Sequence, residues 1–429
     1  MTTMTDQREL LRFATAGSVD DGKSTLIGRL LHDAKVLFDD TLDAVARSSA
    51  ARGRDGLDLS LVTDGLRAER EQGITIDVAY RYFATPRRSF VVIDSPGHVQ
   101  YTRNMVTGAS NADAAVILVD ARHGISEQTR RHLTISALLG LHHVVLAVNK
   151  MDLVSWSEPV FTAIETEFRA IASELQVPEV TAIPISALTG DNVVDPSLNL
   201  PWYHGRTVLH VLETLTIPVP SAAQGLRLPI QWVIVPAVGQ AGDDQRRRYA
   251  GTVAAGTIRP GDEVVVLPGG QRTTVVDVGT ADGPLDEAVA GQAISVVLDD
   301  HLDGRRGSVI ASVVGAPSVT TRIEATVCWM TDRPLTRGTR LLAKHTTVVT
   351  PAFVVDVVDR LDVTTLVAEP ADALGLNDLG TVRLELADPI AADRYDENRT
   401  TGSFILIDPV TDSTVGAGLI REVGVPALI

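Results

Sequence analysis

The sequence has a single cysteine, Cys328, in 429 residues. One thiol excludes an intrachain disulfide and a cysteine zinc cage, and it fits a reducing compartment. No run approaches the roughly 18 to 20 consecutive apolar residues that a membrane helix needs. The first ten residues, MTTMTDQREL, lack the basic-then-apolar layout of a secretory signal. Positive charge is in deficit: 38 Lys and Arg against 54 Asp and Glu leave a net charge of −16. That balance disfavours a surface built to track a nucleic-acid backbone, although a local basic patch stays compatible with it. Internal repeats and low-complexity tracts are missing too. What is present, 45% apolar and 21% charged residues, is the composition of a folded chain. The expectation is a cytoplasmic, membrane-free protein of about three domains.

The first half alternates short apolar runs with helical stretches. LRFATA (11–16), FVVI (90–93), AAVILV (114–119), VVLAV (144–148) and TAIPI (181–185) read as strands buried on both faces, as in a parallel sheet covered by helices. Leu26, Ile27, Leu30 and Leu31 fall on one face of a helix after the first run. A later helix is expected to open at Ser155, where Ser155 and Glu158 have capping-box spacing and Pro159 fits a first turn. The pattern is a doubly wound, mostly parallel α/β domain over 1–217. TIPVPSAAQ (216–224) reads as a linker. Beyond it, Val- and Thr-rich runs separated by Arg259-Pro260-Gly261-Asp262, Pro268-Gly269-Gly270 and Asp303-Gly304 predict two β-barrel domains, 222–315 and 318–429.

Gly17-Ser18-Val19-Asp20-Asp21-Gly22-Lys23-Ser24 matches G-x-x-x-x-G-K-[ST] and lies between a strand and an amphipathic helix. Its glycines permit turns that aim successive N–H groups at phosphate oxygens, and the helix adds the positive end of its dipole. Lys23 is expected to reach the β- and γ-phosphates and the Ser24 hydroxyl to hold Mg²⁺, and Thr25 is counted with them among the nucleotide-binding residues. Asp20 and Asp21 would repel a triphosphate. Both should therefore point away, or one should bind a backbone N–H or the metal shell; a solvated loop tip is the plainer reading of Asp21.

A phosphate loop alone does not choose a base. Asn149-Lys150-Met151-Asp152 does, because it ends a strand on the ligand-binding edge of the sheet. A carboxylate at Asp152 can accept from guanine N1–H and the exocyclic amine, which adenine cannot offer. Asn149 can bond the loop or guanine N7, the Lys150 stem can cover the base, and Ser186-Ala187 offers an N–H for O6. GTP is the expected nucleotide. Between these motifs lies Asp94-Ser95-Pro96-Gly97-His98. Asp94 is placed to hold Mg²⁺ through water, Gly97 to offer its N–H to the γ-phosphate, and Thr75 to add a hydroxyl to the metal from a switch segment. His98 is expected to orient the attacking water. His142 and His143 read as surface or core fillers, and Arg246-Arg247-Arg248 as a solvated hairpin tip, with contact to a partner as the alternative.

Together with Gly73-Ile74-Thr75-Ile76, these motifs resemble the translation-factor class of GTPases. The resemblance runs on through Tyr249-Ala250-Gly251-Thr252-Val253 and Gly256-Thr257-Ile258-Arg259-Pro260-Gly261-Asp262, and so spans nearly the whole chain. It implies that Val19 and Ile74 form an apolar gate around His98. Elongation factors usually show H-V-D-x-G-K, whereas Ser18 and Asp21 stand here. The stretches 17–31, 69–83 and 94–105 are similar instead to the GTPase large subunit of assimilatory sulfate adenylyltransferase. That resemblance implies a separate catalytic small subunit, an ATP sulfurylase, which joins ATP and sulfate into adenosine 5′-phosphosulfate and pyrophosphate within a heterodimer or larger assembly. This chain would couple GTP hydrolysis to the uphill step, since a phosphosulfate anhydride is less stable than the phosphoanhydride consumed. With no second phosphate loop after Ser24, the adenylylsulfate kinase fused to some relatives is expected to be absent. Asp243-Asp244 and the three arginines depart from the pattern of that subunit. An elongation-factor-like carrier of aminoacyl-tRNA and a GTP-switched binding module remain alternatives.

Overall fold

The apolar runs of the first half become strands because each is buried on both sides. In a computed structural model, which describes residues 9–35, 59, 79–94, 109–217, 225–235, 246–363 and 365–424, they form one six-stranded sheet. Its strands are β1 Leu10–Ala16, β2 Ala79–Ala84, β3 Ser89–Asp94, β4 Ala114–Asp120, β5 His143–Asn149 and β6 Glu179–Pro184. Their order is β2-β3-β1-β4-β5-β6, parallel except for β2 against β3. Among the described residues the α-helices are α1 Lys23–Asp33, α2 Glu127–Leu138, α3 Glu158–Glu174 and α4 Val208–Thr214. The chain divides into two compact units, 1–217 with 363–365 and 218–362 with 366–429.

Alternate strand positions serve different helices. Leu11 and Phe13, Val92, Val116 and Leu118, and Val145 and Ala147 share one cluster with Leu26, Ile27, Leu30 and Leu31 of α1 and with Val208 and Leu212 of α4. The helix stripe read from the sequence is thus the buried stripe. On β4 and β5 the intervening Ile117, Val119, Leu146 and Val148 are just as buried, and α2 packs on β4 while α3 packs on β5 and β6. Chain order places β3 and β4 on opposite sides of β1, so the crevice beyond the carboxyl end of β1 is the switch point at which such sheets bind ligands.

One cap differs from expectation. Ser155 and Trp156 are left-handed, at φ 54° and 57°, and Ser155 closes a 3-10 turn over Met151–Val154. The cap of α3 passes to Ser157, without a side-chain hydrogen bond, and Pro159 lies in its first turn. The capping box that does form is Ser126 with Thr129, at the start of α2. Among the described residues, no helix is long and apolar enough to cross a membrane.

The second unit holds two eight-stranded sheets, one from strands between Arg227 and Ser312 and one from strands between Ser318 and Val423. Each encloses its own apolar cluster, with Tyr249 and Val296 in the first and Trp329 and Leu384 in the second. Between them Val265, Leu267, Val309 and Ala311 pack with Ala391. Beside these, the buried Arg227 guanidinium donates to both oxygens of Asp393, at 2.8 and 2.9 Å, and to the Gly315 carbonyl at 2.8 Å. Thr401 Oγ1 completes the Asp393 carboxylate. Arg248, read from the sequence as part of a hairpin tip, starts a paired strand and bridges to Asp277 at 2.5 Å.

Breaking a buried ion pair strands the remaining charge. Asp393→Asn is expected to destabilise the second unit by about 3–5 kcal/mol, and Arg227→Met combined with Asp393→Leu to recover most of that loss. Urea unfolding of the full chain, followed by circular dichroism, measures both.

Candidate functional site

The carboxyl ends of β1, β3, β5 and β6 bring the phosphate loop, Asp94, the Asn149–Asp152 turn and Ser186-Ala187 to one edge of the sheet. The phosphate loop leaves β1 at Gly17 and enters α1 after Gly22, whose φ of 95° is left-handed. A Cβ on Gly22 would lie 2.4 Å from Asn149 Nδ2, so the loop passes the end of β5 with no room for a side chain. Lys23 is buried, and its ammonium donates to the Gly17 and Ser18 carbonyls, both at 2.8 Å. Burial pushes its pKa down, against the opposing pull of Asp94, Asp21 and Asp20. Lys23 Nζ thus lies against the loop backbone, capped by two carbonyls.

The two loop carboxylates separate. Asp20 is exposed, with φ 68°, whereas Asp21 folds under the loop and accepts the Ser18 N–H at 2.6 Å. Desolvation pushes the Asp21 carboxyl above the usual range, and the Ser18 N–H and the Lys23 charge pull against it. Ser18 Oγ meets Ser126 Oγ at 2.8 Å, which ties the loop to the cap of α2. Ser24 and Thr25, half-buried, open α1, and Val19 is 39% exposed at the loop tip. Asp94 ends β3, almost fully buried, and its Oδ1 accepts from Thr15 Oγ1 at 3.2 Å. His132 of α2 is also buried; burial and the nearby Lys23 push its pKa down to about 3, so it adds no positive charge.

On the base side, Asn149 is almost fully buried and uses both ends of its amide. Nδ2 donates to the Asp21 carbonyl at 2.7 Å, and Oδ1 accepts the Ala187 N–H at 2.9 Å. Lys150 is left-handed, at φ 62°; its ammonium lies 2.9 Å from Asp120 Oδ2 and also donates to the Asp20 carbonyl. Met151 is a core residue whose N–H bonds the Ile185 carbonyl at 3.2 Å. Asp152 is half-buried in the 3-10 turn that follows. The Ser186 N–H donates to the Asp191 carbonyl at 3.2 Å. Both N–H groups of the Ser186-Ala187 pair thus have partners within the chain.

Thr75, Ser95, Pro96, Gly97 and His98, with Ile74, lie outside the described residues. Sequence reasoning did not single out Asp120, Thr15 or Ser126. Asp120 carries a readable signal, as the first charged residue after the run AAVILV at the same sheet edge; Thr15 and Ser126 carry none at the level of motif. Among the described residues, no cluster of three or more His, Cys, Asp or Glu could hold a metal.

Residues 8–221 match the family model described as elongation factor Tu GTP binding domain, and residues 322–421 match GTP-eEF1A C-terminal domain-like. The chain is therefore a GTP-binding GTPase of the translation-factor type, an α/β nucleotide domain followed by β-rich domains. Within that class it is 50% identical over 418 residues to sulfate adenylyltransferase subunit 1 of Methylorubrum populi, covering 97% of this chain and 88% of the relative. It is 47% identical over 419 residues to the protein of the same name from Teredinibacter turnerae, with the same coverage. Against the bifunctional enzyme CysN/CysC of Mycobacterium tuberculosis it is 54% identical over 413 residues, 96% of this chain and 67% of that one. Among solved structures it is similar to sup35 complexed with GDP, at 23% identity and a TM-score of 0.44 over 99% of this chain and 97% of that one. The chain belongs to the sulfate adenylyltransferase subunit 1 family.

Gly22→Ala should push Asn149 off the Asp21 carbonyl. The expected outcome is a GTP Kd raised at least about tenfold, the worth of one or two lost buried hydrogen bonds, with the far-UV circular dichroism spectrum retained. Isothermal titration with GTP measures the first.

Proposed function

We infer that this chain hydrolyses GTP as the regulatory subunit of a sulfate adenylyltransferase in sulfate assimilation. The observation that carries the reading is the Asn149 amide, which fastens the phosphate loop to the base-reading turn. It does so in a chain about half identical to proteins named for that subunit. We assign the GTP-binding domain to 1–217 and the two β-barrels to 222–315 and 318–429.

Loop N–H groups and the amino end of α1 cradle the β- and γ-phosphates, and Lys23 turns from its two carbonyls to the phosphate oxygens. The donors present would suit magnesium, an ion that keeps waters and phosphate oxygens among its ligands: Ser24 would offer a hydroxyl, and Asp94, a buried carboxylate braced by Thr15, would hold it through water. Thr75 completes the protein's share. When bound, the ion neutralises charge that develops on the phosphate oxygens. Gly97 offers its N–H to the γ-phosphate, and His98, gated by Val19 and Ile74, holds the attacking water in line.

Asp152 accepts from guanine N1–H and the exocyclic amine, and the Lys150 stem covers the ring. The Ala187 N–H, already donated to Asn149, is shared with guanine O6. We assign adenylyl transfer itself, from ATP to sulfate with release of pyrophosphate, to a separate catalytic subunit. Hydrolysis of GTP to GDP and phosphate supplies the free energy that the transfer lacks.

Two experiments test the reading. GTP turnover should rise several-fold only when the catalytic subunit, ATP and sulfate are present together. A flat rate in that mixture, with stimulation by ribosomes and charged tRNA, would show a carrier of tRNA instead. Asp152→Asn exchanges an acceptor for a donor and should therefore weaken GTP by at least about a hundredfold while strengthening xanthosine triphosphate, whose ring carries an oxygen where guanine has the amine. Nucleotide competition binding reads both directions.

A further inference from the structure

Parallel pairing of β4 with β5 sets Asp120 directly opposite Asn149. The next residue along β5, Lys150, therefore emerges beside the Asp120 carboxylate. That carboxylate is 3% exposed, and a charge buried so deeply must be paired and hydrogen-bonded. It is. Oδ1 accepts from Arg122 N at 2.9 Å and Arg122 Nε at 3.0 Å, and Oδ2 accepts from Arg122 Nη2 at 2.7 Å with Lys150 Nζ 2.9 Å away. The two-pronged guanidinium contact fixes the plane of the carboxylate and, with the Arg122 N–H also on Oδ1, leaves one lone-pair direction for the ammonium. Lys150 Nζ also donates to the Asp20 carbonyl, so its charge is pinned between the strand end and the phosphate loop.

We propose that Asp120, oriented by Arg122, is a positioning residue for guanine nucleotides: it holds the Lys150 ammonium so that the side-chain stem already lies where the base stacks. A free lysine would have to give up the freedom of its side chain on binding, and a pinned one has given it up beforehand. This rests on the base-reading role of the Asn149–Asp152 turn. Because the device acts on the base side and not on the γ-phosphate, it should serve GTP and GDP alike.

The test is a double-mutant cycle on the full chain, read as Kd for GTP and for GDP by titration calorimetry. Asp120→Asn keeps the shape and removes the charge; it should weaken both nucleotides equally, by about tenfold, with the loss appearing in KM for hydrolysis. Lys150→Met should weaken both as well. The double variant should bind no worse than Lys150→Met alone, because Asp120 then has nothing left to position. A Kd unchanged in Asp120→Asn, a loss confined to GTP, or strictly additive losses would overturn the proposal, additivity marking a merely structural carboxylate. Should Asp120→Asn fail to fold, Arg122→Gln gives the same reading at smaller size: about threefold weaker binding that disappears in the Lys150→Met background. No loss there would also overturn it. Failure of Asp152→Asn to accept xanthosine triphosphate would instead strike the base-reading assignment, and the two failures are distinguishable.

Discussion

The nucleotide site depends on one amide. Asn149 projects from the end of β5, donates to a carbonyl of the loop that follows β1, and accepts an N–H from the chain that follows β6. An aspartate there would lose the donor, and alanine would leave a buried carbonyl and a buried N–H without partners. Close approach sets this amide against the loop, since Gly22 passes so near it that no Cβ fits. The sheet brings these ends together because β1, β4, β5 and β6 run parallel, with every carboxyl end at one edge. Register at that edge is fixed by cores on both faces. A one-residue slip in β5 would turn Val145 and Ala147 away from α1's side and carry Asn149 away from the loop.

The charges at this edge explain how so acidic a chain accommodates a polyanion. Four carboxylates, Asp20, Asp21, Asp94 and Asp120, lie around two ammonium groups, Lys23 and Lys150. Asp21 is turned onto the Ser18 N–H, Asp94 onto the Thr15 hydroxyl, and Asp120 onto Arg122 and Lys150. Only Asp20 is solvated, where water screens it. What a phosphate would meet is therefore the loop N–H groups and one desolvated lysine. Net charge of the whole chain says nothing about such a site, because these interactions decay over a few ångströms and the distant acidic surface is screened.

Much of this was readable in the sequence, for a physical reason. Strands buried on both faces leave unbroken apolar runs, so LRFATA, FVVI, AAVILV and VVLAV mark β1, β3, β4 and β5 to within a residue or two. The phosphate loop and the Asn149–Asp152 turn are legible because their chemistry needs particular residues at fixed spacing. Tertiary partnerships are harder to read. Ser155 has the spacing of a cap, yet the 3-10 turn before it claims Ser155 as its own end, and competition between adjacent elements leaves no local trace. The Ser18–Ser126 contact joins residues 108 positions apart, and no periodicity encodes such a pair. In the second unit turn residues marked where strands end, while the Arg227–Asp393 pair between its two sheets spans 166 positions and reads in sequence as two unremarked charges.

Coupling to a second chemistry has to arise where GTP and GDP differ. Gripping the base and the α- and β-phosphates cannot drive anything, since GTP and GDP share those groups; only contacts that sense the γ-phosphate can distinguish the two states. The described residues divide along that line. In the proposed site Asn149, Lys150 and Asp152, with Asp120 and Arg122 behind them, hold what is common to both nucleotides, and at its root Asn149 and Asp120 are buried, paired and placed by strand register. In the same proposal Lys23, Ser24 and Asp94 face the γ-phosphate and its metal. A GTPase that moves a partner needs both halves, because a tightly held common part lets the small difference at the γ-phosphate act as a difference between conformations and not merely between affinities. Rigidity on the base side is, in this sense, a precondition for switching on the phosphate side.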